Sequence, residues 1–567
     1  MFTSSFNPLC APPDFVRSSL MALTLSTIPQ ELQIEILSNL DALSLSCCMS
    51  TCRSINETIW SSSHLIYIIQ LHLDGLKDIE TSSLGCAGRL NQLLLRRHAW
   101  GSTSPKLCAK LISLPDCVTY DLIDGVFAST DGFTLEMASL PTGTEELGTV
   151  TEMKLAGLLI WGLTLDPSQD VLVFLEDGAS ALPHSGPRKI LVHIRSMSTH
   201  EIHPLASLSP FELYIHSDHV QVRTNIPFNI FLHLADNLLV LRFNIESRER
   251  DLPARVIMWD WTTSEVILDS AAATDPVLAA LDCHNLGLLD SKSFFVTSPL
   301  NSGAIHLYRL VRPSNGESPC VPVHRAALQL PPLISTAKPF RIFTKSGPIQ
   351  AHAPFNSPFV TNDEDRIHVF KPVYNSSQRT FPLSFNMFIP QRVFTKYMSL
   401  GSLENQGGPA LNIPWKQWGP LNTCIIHPPG IFQLDKQCRY IRGQRIAFTG
   451  PGFEWDLEER KTCSSKLVVM LDFSIVGVLS ARRTLPSSLS PMNHPGKLIP
   501  LCTIKASEVP LFEDDVEGAL PCVYSVWDPE ANVTTDNKCL IHPDGVINLL
   551  EVAKQGYVYI YSFAVSD

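Results

Sequence analysis

The stretch that decides the fold is TIPQELQIEILSNLD at residues 27–41, which is followed by CRSIN at residues 52–56. Leu32, Ile36 and Leu40 recur every four residues, a spacing typical of one apolar face of a helix. The polar residues between them are expected to face away from that surface: Glu31, Gln33 and Glu35. A short amphipathic helix therefore opens the ordered part of the chain.

Local signals divide the residues up to about 60 into three helices. Thr27 with Gln30 fits a capping box, and Pro29 falls in the first turn, where the missing N–H of proline costs nothing. Asp41 suits the N-cap of a second helix. The second and third helices carry the next apolar positions: Leu43, Leu45, Cys48, Met49, Cys52, Ile55 and Ile59. So small an array buries only part of its apolar surface, so its leucines pack either on another protein or on the rest of this chain.

Composition excludes several classes of function. Of the 567 residues, 45% are hydrophobic and 17% are charged, which fits a large folded body rather than a disordered chain. The net charge is −12, and no dense Lys/Arg cluster stands out beyond short pairs such as Arg96-Arg97 and Arg482-Arg483. Neither a nucleic acid nor a membrane surface is therefore expected as a partner. No apolar run approaches the ~18 residues that a membrane-spanning helix requires.

The cysteines and the N-terminus indicate the compartment. Fifteen cysteines are scattered along the chain without a Cys-x-x-Cys pair, which is typical of reduced thiols in the cytoplasm or nucleus. The first twenty residues lack a basic start and are interrupted by Pro8, Pro12 and Pro13, so no signal peptide is expected. Signals of ordered structure begin only after Met21, which is therefore a candidate for the true start.

No motif in the chain assigns catalysis, a cofactor or a metal. The sequence lacks a Gly-x-x-x-x-Gly-Lys-Ser/Thr loop, a Gly-x-Gly-x-x-Gly turn and a Gly-x-Ser-x-Gly elbow. His200 and His203 have the wrong spacing for two metal ligands on one helix face. The sequence therefore predicts no catalytic residue, no metal ligand and no bound cofactor.

From about Cys117 onward the sequence reads as a large all-β body. Roughly two dozen short runs of alternating apolar residues are separated by turn residues, too many for one sandwich and suited to radial repetition. Residues 161–173 resemble a turn between two blade strands, and residues 259–266 resemble the strand-and-turn signature of WD-like blades. No strict period of about 40 residues survives along the chain. We expect a degenerate β-propeller of seven or eight blades, with a pair of β-sandwiches as the alternative.

Stretches rich in Pro, Gly, Ser and Asn are expected to be insertions between strands. These are residues 312–320, 401–420 and 486–496. Trp415 and Trp418 lie in the second stretch. They are either exposed to bind a partner or folded back onto the edge of a blade, and the second interpretation is favoured.

Taken in order, the N-terminal residues resemble the F-box, and they are most similar to F-box proteins of mushroom-forming fungi. The order is Pro-x-Glu-Leu-x-x-x-Ile-Leu-x-x-Leu-Asp, then Leu-x-Leu, then Cys-Arg-x-Ile-Asn. One departure is Thr51, where the family usually has valine. The resemblance implies an α+β multidomain chain, a small all-α F-box followed by a large all-β body. Its expected parts are a disordered extension at 1–24, the F-box at 25–65, a helical linker at 66–116 and a propeller-like substrate-binding domain at 117–567.

The resemblance also implies partners. An F-box docks on a Skp-type adaptor, which joins it to the cullin of a cullin–RING ubiquitin ligase of the SCF type. The residues expected to contact the adaptor are Pro29, Leu32, Ile36, Leu37, Leu40, Leu43 and Leu45, while Cys52 and Ile55 are expected to brace the third helix. The β body would hold an unknown protein target, and the chain itself would catalyse no bond change.

Two other functions stay open. One is a propeller-type enzyme, such as a glycosidase, whose N-terminal helices are only structural. A cavity in which strand ends gather Asp, Glu and His would favour that reading. The other is an F-box protein that acts as a scaffold outside any ligase.

Overall fold

Helices account for the whole described N-terminal part, as the four-residue spacing of its leucines predicts. In the computed structural model the chain divides into two compact units, Met1–Gln70 and Leu71–Asp567. The described residues are 25, 28–79, 84–101, 106–107, 112–115, 117–140, 150–154, 158–178, 188–215, 228–245, 254–282, 284–313, 320–349, 358–377, 382–404, 409–426, 440–453, 462–483, 494–499, 502–527, 538–542, 545–552 and 555–562. The extension expected at residues 1–24 lies outside them.

The N-terminal unit is built from short helices around a small apolar core. The helices are α1 (Gln30–Leu37), α2 (Ala42–Met49), α3 (Arg53–Ser61) and α4 (Ser63–Leu73). The core residues, each at most 1% exposed, are Leu37, Leu45, Ile59 and Leu65. Because each helix contributes one of these side chains, the core holds all four together.

Capping explains where these helices begin. The Asp41 carboxylate accepts a hydrogen bond from the Ser44 backbone N–H at 2.7 Å, which confirms Asp41 as the N-cap of α2. Helix α1 begins two residues later than the capping box predicts, with Pro29 at the N-cap instead of Thr27 and no side-chain cap. The Pro29 carbonyl accepts from the Leu32 and Gln33 N–H groups at 3.1 Å each. Thr27, the other half of the expected capping box, lies outside the described residues.

The second unit is dominated by antiparallel sheets that follow one another along the chain. Sheet 1 contains Thr119–Ile123, Val126–Thr130, Thr134–Ser139 and Val150–Lys154. Sheet 2 contains Ile160–Asp166, Val171–Asp177, Arg188–Ser196 and Phe211–Ile215. Sheet 3 contains Phe228–Ala235, Leu238–Ile245, Arg255–Asp260 and Glu265–Asp269. Sheet 4 contains Leu286–Asp290, Ser293–Ser298, Ala304–Val311 and Val321–Gln329, with Leu411–Ile413 added in parallel.

The remaining large sheets are less regular. Sheet 5 contains Ala337–Ser346, Ile367–Ser376, Asn386–Pro390 and Cys424–Ile426, with Leu383–Ser384 at its side. Sheet 6 contains, in spatial order, Ile441–Arg442, Arg445–Phe453, Thr462–Asp472, Cys522–Trp527 and His494–Ile499. Sheet 7 contains Lys538–His542, Gly545–Val552 and Gln555–Ser562, completed by Lys106–Leu107 and Ile112–Pro115. Leu76–Asp78 pairs with Phe359–Thr361, and Cys502–Ile504 pairs with Val516–Gly518.

The seven large sheets close into a ring. The first strand of sheet 2 contacts the first strands of sheets 1 and 3. Sheet 4 contacts the first strand of sheet 5, and sheet 6 contacts the first strand of sheet 7. Between sheets 3 and 4, Arg242 Nη1 donates to the Leu286 carbonyl at 2.9 Å. Between sheets 5 and 6, the Ile367 N–H donates to the Gly443 carbonyl at 2.9 Å. The first strand of sheet 7 contacts the first strand of sheet 1, so the described part of the β body is a β-propeller whose ring contains seven sheets.

The ring is closed by strands from both ends of the second unit. Lys106 and Ile112 pair with Ser562 and Val558 of the last described strand. Strands supplied from before sheet 1 thus complete sheet 7 by covering the edge of its last strand. Residues 66–116, expected to be a helical linker, hold helical residues of α4, helix α5 (Cys86–Gly101) and these strands.

The two WD-like segments form the predicted strand–turn–strand units. In sheet 3, the Asp260 carboxylate accepts from the Thr262 N–H at 3.0 Å, and Trp261 Nε1 donates to the Asp236 carbonyl at 2.9 Å. In sheet 2, the Asp166 carboxylate accepts from the Ser168 N–H at 3.0 Å in the same manner. An aspartate that folds back on its own turn explains both hairpins.

One of the expected insertions between strands contains helical residues. Residues 401–420 hold the end of α7 (Gln391–Glu404), a strand of sheet 4 and α8 (Trp415–Trp418), so the expectation of an irregular loop is wrong there. Both tryptophans are buried, and Trp418 Nε1 donates to the Gln329 carbonyl at 2.8 Å. Burial of two indoles against sheet 4 is what orders this segment. The other described helices are α6 (Pro276–Ala279) and α9 (Ile475–Arg483).

Candidate functional site

The residues expected to contact an adaptor fall into two groups by burial. Leu37 and Leu45 are 1% and 0% exposed and belong to the core of the N-terminal unit. Leu32, Ile36 and Leu43 are 53%, 49% and 63% exposed. The second group, which we call the exposed apolar set, offers large aliphatic side chains that a partner can touch directly.

Helix α1 has an inner side that packs on the other helices and an outer side that is exposed, and the prediction for Gln33 is wrong. Gln33, expected to face away from the helix bundle, is 5% exposed and lies on the inner side, four residues before Leu37. Its amide is satisfied there, since Nε2 donates to the Ile28 carbonyl at 2.9 Å and Oε1 accepts from Thr58 Oγ1 at 2.9 Å. A buried polar group with both partners costs little, so Gln33 can occupy the core side.

Turning Gln33 inward places leucine and isoleucine outward. Leu32 and Ile36 are four residues apart and therefore share one face of α1. Leaving large apolar side chains half exposed to water forfeits the free energy that their burial would contribute. Apolar side chains that are exposed together on one helix face, unlike single ones, are candidates for a protein–protein contact.

An exposed tryptophan on α3 was missed in the sequence analysis. Trp60 is 56% exposed and lies beside Ser61, whose hydroxyl accepts from Gln30 Nε2 at 2.7 Å. The end of α3 is therefore held against the start of α1. The signal was present, because Ile55 and Ile59 define the inner face of α3 and a residue one step beyond Ile59 points about 100° away from it.

The remaining expected residues have mixed environments. Leu40 and Ile55 are partly buried and pack against the core, whereas Pro29 is exposed. Cys52, expected to brace α3 by packing, is exposed at the N-cap of that helix and contributes its backbone carbonyl to the Asn56 N–H at 3.1 Å. Thr51, the departure from the family pattern, is exposed and its hydroxyl donates to the Cys48 carbonyl at 2.7 Å, which closes the end of α2.

The inner strands of sheets 1 to 5 surround a small cavity of about 30 Å³. Each of these sheets contributes to its lining, through Ile123, Thr164, His233, Leu288 and Lys345. Among the described residues that line it, none is an aspartate or a glutamate. Glycoside hydrolysis uses a pair of carboxyl groups across the scissile bond, so this cavity gives no support to the glycosidase alternative.

A serine–histidine pair lies beside the same cavity. Ser346 Oγ is 2.6 Å from His368 Nδ1, and His368 Nε2 is 3.2 Å from Gln391 Oε1. The imidazole is fully buried, and this burial, together with the nearby Arg366 guanidinium, holds the pKa of His368 well below its usual range. Ser346 and His368 are register partners on two neighbouring strands of sheet 5, so their hydrogen bond joins those strands.

The described residues also bear on metal binding and on membrane insertion. No group of three or more His, Cys, Asp and Glu side chains lies close enough to hold a metal ion within that part of the chain. No helix among the same residues combines the length and the apolar character needed to cross a membrane. His203, singled out in the sequence, instead places Nε2 3.1 Å from the Gln169 carbonyl within sheet 2.

Comparison with known proteins identifies the N-terminal unit. The model of the family described as F-box domain matches residues 25–67. Residues 25–67 are an F-box domain. The match covers α1, α2 and α3 and the first part of α4, and it includes every member of the exposed apolar set. No curated protein matches the chain.

Solved structures resemble the chain only remotely. Hsv2 of Kluyveromyces lactis is 7% identical over 77% of this chain and 90% of its own, with a TM-score of 0.30. The WD40 domain of SCAP from fission yeast is 10% identical over 82% of this chain and 97% of its own, with a TM-score of 0.29. A functionally unknown protein from Desulfotomaculum acetoxidans is 11% identical, with a TM-score of 0.22, and the match covers 49% of this chain and 66% of that protein. At these TM-scores the likenesses add nothing to the ring of sheets described above.

Proposed function

We propose that this chain is a substrate receptor of an SCF-type cullin–RING ubiquitin ligase. The F-box domain binds a Skp-type adaptor, which links it to the cullin, and the propeller binds a protein target. The chain performs no chemistry of its own in this role. It raises the local concentration of the target near the ubiquitin carrier. The cytoplasm and the nucleus are the compartments in which we place it.

One observation carries the proposal. The F-box domain keeps Leu32, Ile36 and Leu43 about half exposed although each is a large apolar side chain. Apolar residues spaced along a short helix suit recognition in which the helix lies in a groove of a partner. Trp60 adds an aromatic side chain of the kind that is enriched at the centres of interfaces.

The burial data divide the roles of the expected residues. We assign direct contact with the adaptor to the exposed apolar set, together with Pro29 and Trp60. We assign Leu37, Leu45 and Ile55 to holding the helices in place, since they lie in or against the core of the domain. This division predicts that the two groups respond differently to substitution.

The test is co-expression of the full chain with a Skp-type adaptor, followed by size-exclusion chromatography. A second sample carries Leu32→Asp and Ile36→Asp. An unpaired carboxylate buried in an apolar interface costs several kcal/mol even after its surroundings relax, so the doubly substituted chain should elute without the adaptor. A matched control carries Leu205→Asp and Leu208→Asp, which alter two leucines that are also 62% and 48% exposed but lie in the second unit.

Co-elution of the native chain and the control, with loss in the Leu32/Ile36 variant, supports the proposal. Failure of the folded native chain to bind the adaptor contradicts it. Binding of the adaptor without recruitment of a cullin would instead place the chain outside the ligase, as a scaffold.

A further inference from the structure

A second candidate binding site lies in the β body, beside the two tryptophans of α8. It is a pocket of about 190 Å³ that opens next to Trp415. Its lining includes Pro331, Pro332, Pro420 and Trp415, which we call the apolar wall. It also includes Asp514, Asp515 and Glu517, which we call the acidic wall. The volume suits a single long side chain rather than a cofactor, since drug-sized ligands need about 300 Å³ or more.

The acidic wall is held on ordered backbone. The Ile334 N–H donates to the Leu511 carbonyl, and the Glu513 N–H donates to the Pro332 carbonyl, both at 3.0 Å. These backbone hydrogen bonds join the segment that carries the acidic wall to the segment that carries Pro331 and Pro332. Leu511, Phe512 and Val516 are buried in the largest apolar cluster of the second unit. Because these apolar residues point inward, the acidic residues beside them are turned towards solvent at the mouth of the pocket.

The charges at the pocket are unbalanced. Lys416 Nζ lies 2.9 Å from Asp514 Oδ2, and the two side chains are 74% and 55% exposed. Asp515 Oδ1 accepts from the Ala506 N–H at 2.8 Å and remains a carboxylate at the rim, as does Glu517. One lysine therefore faces three carboxylates among the residues that line the pocket. An exposed ion pair such as the one between Lys416 and Asp514 is weak and readily exchanged.

We propose that this pocket binds a lysine or arginine side chain from an extended segment of the target protein. The aliphatic stem of the side chain packs along the three prolines and the indole of Trp415, while its charged head pairs with Asp515 and Glu517. The charge complementarity commits the site to a basic occupant. This inference names the chemistry of the target and in that sense rests on the receptor role proposed above.

Substitution of Lys416 distinguishes binding in this pocket from general attraction of a basic peptide to an acidic protein. Lys416 places a positive charge among the residues that line the pocket and repels a second cation there, so Lys416→Gln should strengthen binding of a basic peptide. Asp515→Asn with Glu517→Gln should weaken it. Both changes preserve size and hydrogen-bonding capacity, since an asparagine at 515 can still accept from the Ala506 N–H.

The experiment uses the purified full chain and four pools of fluorescein-labelled nonapeptides. Each pool has Arg, Lys, Gln or Glu at its centre and all residues except Cys elsewhere, and binding is read by fluorescence polarisation. We expect the Arg and Lys pools to bind at least 5-fold more tightly than the Gln pool. We expect Asp515→Asn/Glu517→Gln to abolish that advantage and Lys416→Gln to increase it 2-fold or more.

The matched control is Asp131→Asn/Glu201→Gln, which removes two exposed carboxylates elsewhere in the β body. It should keep the advantage of the basic pools. The inference is overturned if basic pools have no advantage, or if the control reduces the advantage as much as the pocket variant does. Adaptor binding is measured on the same preparations, so a failure here with intact adaptor binding removes the pocket proposal and leaves the receptor role standing.

Discussion

Truncation of the exposed apolar set separates adaptor binding from folding. Leu32, Ile36 and Leu43 each keep about half of their surface in water. Full burial of such a side chain contributes roughly 1.5–3 kcal/mol, so covering the exposed half on binding contributes about 1 kcal/mol for each. Replacing all three by alanine should therefore cost about 3 kcal/mol of binding free energy, roughly a 100-fold weaker affinity for the adaptor.

The same substitutions should barely affect stability, because exposed side chains that pack on little contribute within about 0.5 kcal/mol each. Leu37→Ala is the contrasting variant. Its side chain is 1% exposed, and removing it should lower the free energy of unfolding of the F-box domain by about 2–5 kcal/mol. Affinity is measured by calorimetric titration with a Skp-type adaptor, and stability by urea unfolding monitored by circular dichroism.

Either of two results would contradict the assignment of the exposed apolar set to adaptor binding. In the first, the triple alanine variant binds the adaptor as tightly as the native chain. In the second, it loses binding and folding together, which would mean that the exposed side chains are part of the core. Leu205→Ala serves as the control, because it truncates an equally exposed leucine outside the F-box domain.

Three further predictions concern the stability of the fold. Thr58→Val should lower the free energy of unfolding of the F-box domain by about 1–3 kcal/mol in urea, because buried Gln33 Oε1 loses its donor at 2.9 Å; Thr51→Val, at an exposed position, should cost less. Gly287→Ala should lower the melting temperature, because its Cβ would lie 2.2 Å from the buried Phe295 ring, whereas Gly85→Ala, with no atom within 4 Å, should not. Burial lowers the pKa of His284 and of His306 to about 4, whereas an unfolded histidine titrates near 6.5. The unfolded state therefore takes up protons that the folded state refuses, so stability should fall as the pH drops from about 6.5 to 4. The His284→Gln/His306→Gln variant should show a flatter urea midpoint over that range, and an unchanged slope would contradict the assigned burial.

Local signals were enough to predict the helices of the F-box domain and several turns of the propeller. Asp41 caps α2 as expected, and residues 259–266 form the predicted hairpin, because each depends on hydrogen bonds between residues close in sequence. The all-β body was also predictable, since alternation of apolar residues is itself a local property. Burial of Trp415 and Trp418 agrees with the favoured interpretation of those residues.

Features that depend on distant contacts were not predictable. The inward position of Gln33 on α1 depends on its hydrogen bond with Thr58, which is 25 residues away in sequence. Periodicity alone predicts that a glutamine faces outward. The closing pairs of sheet 7 join Ile112 to Val558, so nothing near either strand reveals the partner. Sheet 6 places Cys522–Trp527 between Thr462–Asp472 and His494–Ile499, which are earlier in the chain, and this order erases any simple repeat.

The pocket beside Trp415 illustrates the same limit for function. Its walls come from residues 331–332, 415–420 and 514–517, which are separated by about a hundred residues of sequence. The sequence alone indicates only an aromatic pair and an acidic run. Their juxtaposition depends on hydrogen bonds such as that between the Glu513 N–H and the Pro332 carbonyl.

Hydrogen exchange of the full chain, measured by mass spectrometry with and without a Skp-type adaptor, tests adaptor binding by the F-box domain most directly. We expect slower exchange over residues 29–51, where α1 and α2 carry the exposed apolar set, with the sheets of the propeller unchanged. Exchange that is unaffected throughout the F-box domain at saturating adaptor, or slowed only in the propeller, would contradict it.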